Sequence, residues 1–294
     1  METSLTHNHI DLEKINEKLL KANIDWIDNK LLSFYLSKDM NEKGCCLINN
    51  IEYFLAYPFC CGVTEHYCQD KPKMVLFGQE YHGSKALKLN DDKTFDFESH
   101  EGYSPKGYQD WAIKHTNNML LKPKYSFWQY IKSLTENFSI CWNNLDKVYL
   151  GEKDKDEYLK NGKLTYDAEK VLSARYEAKG YESNSSCTTT NRSLIEREIQ
   201  ILSPDIVVFL VGPYYDLSLA TAFGLDRESL YEYRPSLANS VRDISNVIKL
   251  KNNTGKDITV LWTYHPRSLQ LYKITKESFV NEITNKYNTN KNSQ

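Results

Sequence analysis

The chain has 294 residues, of which 40% are hydrophobic and 26% are charged, and its 37 Lys and Arg against 39 Asp and Glu give a net charge of −2. This balance is typical of a globular protein with a full hydrophobic core and excludes a mostly disordered or collagen-like chain. The chain also lacks the strongly basic composition of many nucleic-acid-binding proteins, although a local basic surface can still bind DNA. No apolar run approaches the roughly 18 residues that span a bilayer, so we expect no membrane partner.

The first 70 residues predict an extension to the main domain. Ile15, Leu19 and Leu31 recur at helical spacing within residues 10–36, which predicts a helical segment. Residues 40–72 are rich in Cys and Tyr and have no clear period, so we expect them to be irregular. The extension therefore combines a helical part with an irregular part, over residues 1–70.

Four short, continuous apolar runs predict the buried strands of a parallel sheet. They are KMVLFGQE (73–80), FSICW (138–142), PDIVVFLVG (204–212) and ITVLW (258–262). The segments with helical periodicity are 108–135, which Pro123 divides into two helices, then 193–202 and 236–250. Strands alternating with helices predict an α/β fold, a three-layer α/β/α sandwich around a four-stranded parallel sheet with an N-terminal helical extension.

Three further segments interrupt or end this main domain, which we place at residues 71–286. Residues 84–107 are polar and predict a loop. Residues 151–190 carry mixed charges and a Ser/Thr run, so we interpret them as an insertion that is partly helical. The last residues, 287–294, are polar and predict a disordered tail.

Polar residues directly follow each predicted strand. Because ligands of parallel α/β sheets bind outside the carboxyl ends of the strands, we expect these residues to converge on one rim. They are Gly78-Gln79-Glu80-Tyr81-His82-Gly83, Asn143-Asn144, Gly212-Pro213-Tyr214 and His265-Pro266-Arg267-Ser268-Leu269. A carboxylate, two side-chain amides and imidazoles would then share one site.

The order of these motifs resembles that of the uracil-DNA glycosylase superfamily over about residues 73–270. In that family the first strand ends in a Gly-Gln-Asp-Pro-Tyr-His type motif, the second ends in Asn, the third is apolar and ends in Gly, and the last ends in a His-Pro-Ser-Pro-Leu type motif. The resemblance implies a monofunctional DNA glycosylase, an enzyme that flips a pyrimidine out of DNA and hydrolyses its N-glycosidic bond to leave an abasic site. It implies DNA, duplex or single-stranded, as the partner, and no cofactor.

The resemblance also implies which residues carry the reaction. Glu80 is the carboxylate that orients or deprotonates water and stabilises the positive charge developing on the sugar. His265 donates a hydrogen bond to the pyrimidine oxygen as the departing base becomes negative. The residues implied to contact DNA are His82, Arg267, Ser268 and Leu269. Of these, Arg267 would sit beside the phosphates, and Leu269 would be the apolar wedge that fills the gap left by the flipped base.

A base pocket follows from the same resemblance. Its candidate residues are Gln79, Tyr81, Asn143, Asn144, Phe95 and Phe97. One of the two asparagines would read the Watson–Crick edge of the flipped base, and the sequence leaves open which one. One of the two phenylalanines would stack on the base.

Two departures from the family pattern bear on the substrate. The Pro that precedes Tyr in the family is missing, so Tyr81 follows Glu80 directly, and in the family that Tyr closes the pocket against a substituent on pyrimidine C5. The insertion at 151–190 follows the second strand and would rise from the active rim, where it suits a specificity lid. Both departures favour a C5-modified pyrimidine, such as phage genomes carry, over uracil, and so a role in defence over one in repair.

Other interpretations remain open. The chain could be a non-catalytic DNA- or protein-binding protein on the same fold, whose binding is indifferent to Glu80, or a hydrolase of free nucleosides or nucleotides. At the level of residues, Glu80 could be a helix N-cap or a surface carboxylate, and His265 could simply end a strand. The asparagine pair could form a turn, and Phe95, Phe97 and Leu269 could be ordinary packing residues.

The cysteines indicate the cellular setting. There are seven of them, an odd number, and the N-terminus lacks the cationic head and apolar run of a secretory signal, so we expect a reduced, cytoplasmic setting. The spacing of Cys45-Cys46, Cys60-Cys61 and Cys68 lacks the C-x-x-C start that usually clamps an iron–sulfur cluster. We therefore expect buried free thiols and no metal. Separately, we expect the protein to be a monomer.

Overall fold

The secondary structure follows from the computed structural model, which describes residues 3–37, 45–48, 51–55, 57–80, 87–97, 104–147, 150–152, 194–225, 229–230 and 240–292. The helices are α1 (Thr3–Trp26), α2 (Leu32–Ser37), α3 (Pro105–Leu121), α4 (Ser126–Leu134), α5 (Leu194–Leu202), α6 (Asp216–Ala222), α7 (Pro266–Leu271) and α8 (Lys276–Asn292). The strands are β1 (Cys45–Ile48), β2 (Ile51–Leu55), β3 (Lys73–Glu80), β4 (Ser139–Asp146), β5 (Leu150–Glu152), β6 (Ile206–Leu210), β7 (Val241–Asp243) and β8 (Thr259–Thr263).

A mostly parallel sheet forms the centre of the protein. Its strand order is β4-β3-β6-β8-β7, in which the first four strands are parallel and β7 pairs antiparallel with β8. Every residue of β4, β6 and β8 is buried, which explains why β6, β8 and the first half of β4 are mostly apolar without alternation. The α/β class and the four predicted parallel strands are confirmed.

The sheet has five strands and not the predicted four. The fifth strand, β7, lies inside residues 236–250, for which a helix was predicted, and a turn follows it at 245–248. Val241, Ile244 and Ile248 are all buried, and their spacing suggested one face of a helix. A short edge strand followed by a turn buries the same three side chains, so the apolar spacing alone could not separate the two structures.

The two helices between β3 and β4 are separated where the sequence predicts. Pro123 separates α3 from α4, as expected from the loss of a helical hydrogen bond at proline. Helix α3 begins at Pro105, inside the predicted loop 84–107, because the Ser104 side chain caps it by accepting a hydrogen bond from the Gly107 N–H at 3.1 Å.

The N-terminal extension is helical and sheet-containing. Helices α1 and α2, joined by a π-helical turn at Ile27–Leu31, confirm the predicted helical segment. The prediction that 40–72 is irregular is wrong in part, because β1 and β2 form an antiparallel pair that β5 extends to three strands. The sequence signal for this hairpin is the asparagine pair at 49–50, a residue type that favours turns, between two apolar runs.

The predicted insertion and tail have different outcomes. Strand β5 includes residues 151–152, the start of the insertion, whereas the remainder of the insertion lies outside the described residues. The disordered tail is a wrong prediction, because α8 continues to Asn292. Phe279, Ile283 and Tyr287 recur every four residues and are buried, so one apolar residue per turn anchors a helix whose composition is otherwise polar. Within the described part of the chain, no helix is long and apolar enough to cross a membrane.

Candidate active-site rim

Side chains from the strand ends and from α4 meet at the carboxyl edge of the main sheet. Gly78 of β3 is opposite Asn144 of β4 in the parallel register. A Cβ placed on Gly78 would lie 2.8 Å from Asn144 Oδ1 and 3.3 Å from Phe127 Cζ, so these three residues are in close contact. Phe127 in turn stacks on His265, with the ring centroids 5.5 Å apart and the planes at 19°. We call this group, with Gln79 and Gly212, the strand-end rim.

Gln79 and Gly212 close the rim on its other side. The Gln79 side-chain amide donates a hydrogen bond to the Val211 carbonyl at 2.9 Å, which ties the end of β3 to the end of β6. The Gly212 N–H donates to the Thr263 carbonyl at 3.0 Å, which ties the end of β6 to the end of β8. A Cβ on Gly212 would lie 3.9 Å from the main-chain nitrogen of His265, so Gly212 also lies beside His265.

His265 is held as a neutral imidazole with a defined tautomer. It is the N-cap of α7, and its Nδ1 accepts the main-chain N–H of Arg267 at 3.2 Å. Because Nδ1 acts as the acceptor, the ring proton of the neutral form lies on Nε2. Burial, with a smaller contribution from the Arg267 cation, lowers the pKa of His265 to about 4. The ring therefore presents an N–H donor at neutral pH.

The two neighbouring asparagines have different surroundings. Successive side chains of a strand point to opposite faces of a sheet, and here one face carries Asn143 and the other Asn144. The Asn143 Nδ2 donates to Glu198 Oε2 at 2.9 Å, and its Oδ1 accepts from Lys147 and from the Asn144 N–H. Asn143 is thus committed to a buried polar network, whereas Asn144 contacts Gly78 on the rim. Both lie within β4, which runs to Asp146 and not only to residue 142 as predicted.

Two acidic residues lie at the ends of two adjacent strands. Glu80 is the last residue of β3, and its Cα partner on β4 is Asp146. The structure describes the Glu80 main chain, and Asp146 is buried with 1% of its surface exposed. Sequence reasoning missed Asp146 because it ended the second strand at residue 142. The signal that could have found it is the continuation of the strand through NNLD, which places an acidic residue at the true strand end.

Phe127 contributes an aromatic ring to the rim, and the predicted Phe95 and Phe97 lie elsewhere. Phe95 and Phe97 pack in a second hydrophobic cluster, with Phe97 centred 6.1 Å from Tyr57. This corresponds to the packing alternative for both residues. Phe127 is the second residue of α4, and α4 begins at the carboxyl edge because the chain must return to the amino end of β4. No sequence motif marks Phe127 as a site residue.

The residues after His265 divide between the surface and the core. Arg267 is exposed and Ser268 is partly exposed, whereas Leu269 has no exposed surface and belongs to the main core. Leu269 cannot enter a DNA duplex from this position without leaving the core, so its core alternative matches the structure. Leu271, two residues further, is 73% exposed and ends α7. The predicted site residues Tyr81 and His82, with Gly83, lie outside the described residues.

Four cysteines whose side chains the structure describes are buried or partly buried thiols. Cys60, Cys61, Cys68 and Cys141 form no disulfide. Burial raises the pKa of the Cys60 thiol to about 12 and also raises the pKa of Cys61, where Glu198 adds to the effect. Among the described residues, no group of three or more His, Cys, Asp or Glu side chains is arranged to hold a metal ion.

No protein-family model matches the chain, and no curated protein matches it at a significant level. A function for this chain must therefore be inferred from the strand-end rim itself.

Proposed function

We propose that the chain is a monofunctional DNA glycosylase that flips a pyrimidine and hydrolyses its N-glycosidic bond. The observation that carries this proposal is His265, a partly buried neutral imidazole whose Nδ1 is occupied and whose Nε2–H is available at the strand-end rim. A neutral N–H donor of this kind stabilises an oxygen that gains negative charge without giving up a proton. The arrangement matches the need of a departing pyrimidine anion.

The other rim residues supply the remaining parts of the reaction. Glu80 ends the strand next to that of Asn144 and would orient water and stabilise the cationic sugar. Asn144 has an amide at the rim and would read the edge of the flipped base. Gly78 has no side chain at this point, and the space that a Cβ would need is taken by the Asn144 and Phe127 side chains.

A basic and apolar surface beside His265 supports DNA as the partner. Leu271 and Tyr272 follow at the end of α7 and are 73% and 49% exposed. Tyr125 directly precedes α4 and is 65% exposed. Residues 121–126 and 265–276 contain Lys and Arg but no Asp or Glu. The cations can contact the phosphates of the DNA backbone, and the exposed apolar side chains can fill the gap that a flipped base leaves in the stack. In this proposal Leu271 takes the wedge role in place of Leu269.

The substrate class remains the one that the sequence favours. The missing Pro before Tyr81 and the insertion at 151–190 favour a C5-modified pyrimidine over uracil. The three-layer sandwich, the monomeric state and the cytoplasmic setting also stay predictions.

The test is a base-release assay. The protein is incubated with duplex and single-stranded DNA containing uracil, and with DNA containing hydroxymethylated or glucosylated cytosine. Mass spectrometry identifies the free base and alkali reveals abasic sites. We expect Glu80→Gln to lower the rate by roughly 10²–10⁴-fold and His265→Asn by roughly 10²–10³-fold. Asn at position 265 retains an N-cap acceptor for α7, so this variant removes the imidazole with little effect on the helix.

The matched control is Glu277→Gln, which removes an exposed carboxylate from the first turn of α8. It should retain the wild-type rate. Base release that survives both Glu80→Gln and His265→Asn would refute the assignment of the site. DNA binding without release of any base from the panel would instead support a non-catalytic binding protein.

A further inference from the structure

Phe127 stacks on the ring of His265, although it was not among the predicted site residues. Its ring lies nearly parallel to the imidazole, whereas it meets Trp128 and Trp142 edge-on, with centroids 5.5 and 6.5 Å away. These two tryptophans are themselves buried, at 4% and 8% exposure, so they fix the Phe127 ring from behind. One face of the imidazole is therefore covered by a rigid apolar surface.

Two independent contacts then determine the orientation of the imidazole. The Arg267 N–H holds Nδ1 in the plane of the ring, and the Phe127 ring sets the tilt of that plane. The single remaining polar atom of the ring is Nε2, whose direction is thereby defined. A catalytic donor is effective when it is held close to its productive geometry by packing of this kind.

We propose that Phe127 is the positioning residue of His265, which holds the imidazole dry and in one orientation so that its Nε2–H faces the departing base. The proposal rests on the proposed function for the role of that N–H. The effect of Phe127 on the imidazole ring is independent of the proposed function. Phe127 acts through His265 and not by stacking on the base.

Charge contributes less than burial to the lowered pKa of the His265 ring. In α7 the charged residue is Arg267, and in α4, which packs against α7, it is Lys132 in the last turn. The acidic residues in the adjacent strands are Glu80 and Asp146, whose Cα atoms are partners in the parallel register. Burial is the larger cause of the lowered pKa of His265, and Phe127 covers one face of the ring.

The experiment measures the ring nitrogens of His265 by ¹⁵N NMR as a function of pH, with the resonances assigned by their loss in His265→Asn. We expect the wild-type ring to stay neutral, with the proton on Nε2, down to a pKa of about 4. In Phe127→Ala we expect the pKa to rise toward the ordinary value of 6.5 and the two tautomers to mix. Phe127→Leu should give an intermediate shift, and Phe127→Tyr should retain the wild-type values because it preserves the stack.

A matched control separates positioning from stability. Leu134 is fully buried in the same helix, so Leu134→Ala destabilises α4 without uncovering the imidazole. It should leave the pKa and tautomer of His265 unchanged. If Phe127→Ala and Phe127→Leu also leave them unchanged, the positioning role is overturned, whatever the activity. If the variants shift the ring but no base is released by any protein, the positioning role holds and the glycosylase proposal fails.

Discussion

The rim can form only because residue 78 is a glycine and has no side chain. A Cβ there would lie 2.8 Å from Asn144 Oδ1 and 3.3 Å from Phe127 Cζ, so either side chain must move. We expect Gly78→Ala to destabilise the protein by about 1–3 kcal/mol, as overpacking usually does, and to lower base release more than tenfold. Urea unfolding followed by tryptophan fluorescence measures the first effect, and the base-release assay measures the second.

A double variant tests whether the Asn144 contact is the cause. Asn144→Gly added to Gly78→Ala removes the closest clashing atom, so it should recover much of the lost free energy of unfolding without recovering activity. A double variant as unstable as the sum of the two single variants would show that the strain lies elsewhere. Base release restored by the double variant would show that Asn144 is not needed to read the base.

At the scale of elements, a buried polar network joins the N-terminal extension to the main sheet. Glu198 of α5 has no exposed surface, and its carboxylate pairs with Lys147 at 2.7 Å. The Asn23 amide of α1 donates to Glu198 at 2.9 Å, the Cys61 thiol donates to it at 3.3 Å, and Asn143 of β4 donates to it as well. The network therefore links α1, α5, β4 and the segment before β3 through one carboxylate.

Removing that carboxylate should leave the Lys147 cation buried without its partner. We expect Glu198→Gln to lower the free energy of unfolding by about 3–5 kcal/mol, and Glu198→Leu combined with Lys147→Met to recover much of this loss. Hydrogen exchange should also rise in α1. The matched control is Arg197→Ala on the same helix, since Arg197 also pairs with α1, at Asp25, but at an exposed position (3.2 Å). It should cost at most about 1 kcal/mol. Equal losses from the two variants would contradict the structural role of the network.

These elements also show where sequence reasoning succeeds and where it ends. The strands β3, β4, β6 and β8 were predictable because burial on both faces produces continuous apolar runs, whereas the helices that the structure describes mix apolar and polar residues. His265 was predictable as a candidate because it follows such a strand. Asn143 could not be separated from Asn144, since which face each one occupies depends on the strand extending to Asp146.

Long-range packing explains the remaining failures. Phe127 joins the rim because α4 returns beside α7, and no local pattern records that contact. Leu269 and Leu271 both follow His265 closely, and the geometry of a six-residue helix decides that the first is buried and the second exposed. The edge strand β7 buries the same residues as a helix would, so its apolar spacing indicated the wrong element.

At the scale of the whole molecule, a net charge of −2 gives no general attraction for DNA. Any electrostatic binding must therefore come from where the cations lie. Lys122 and Lys124 are exposed in the turn before α4, on the carboxyl side of the sheet, because α4 starts there with Phe127 against His265. Lys251 and Lys256 are equally exposed, but they precede β8 and so lie at the amino end of the sheet.

This difference in position makes a matched pair of double variants. We expect Lys122→Gln with Lys124→Gln to weaken DNA binding about tenfold or more, and to reduce the slope of log K against log salt by about 1 for each lysine removed, because each phosphate contact releases counterions. Lys251→Gln with Lys256→Gln removes the same charge from the opposite edge and should leave both the affinity and the slope unchanged. Fluorescence anisotropy with a labelled duplex at several salt concentrations measures both quantities. Equal weakening by the two double variants would mean that DNA responds to net charge and not to the strand-end rim. The interface beside His265 would then be wrong.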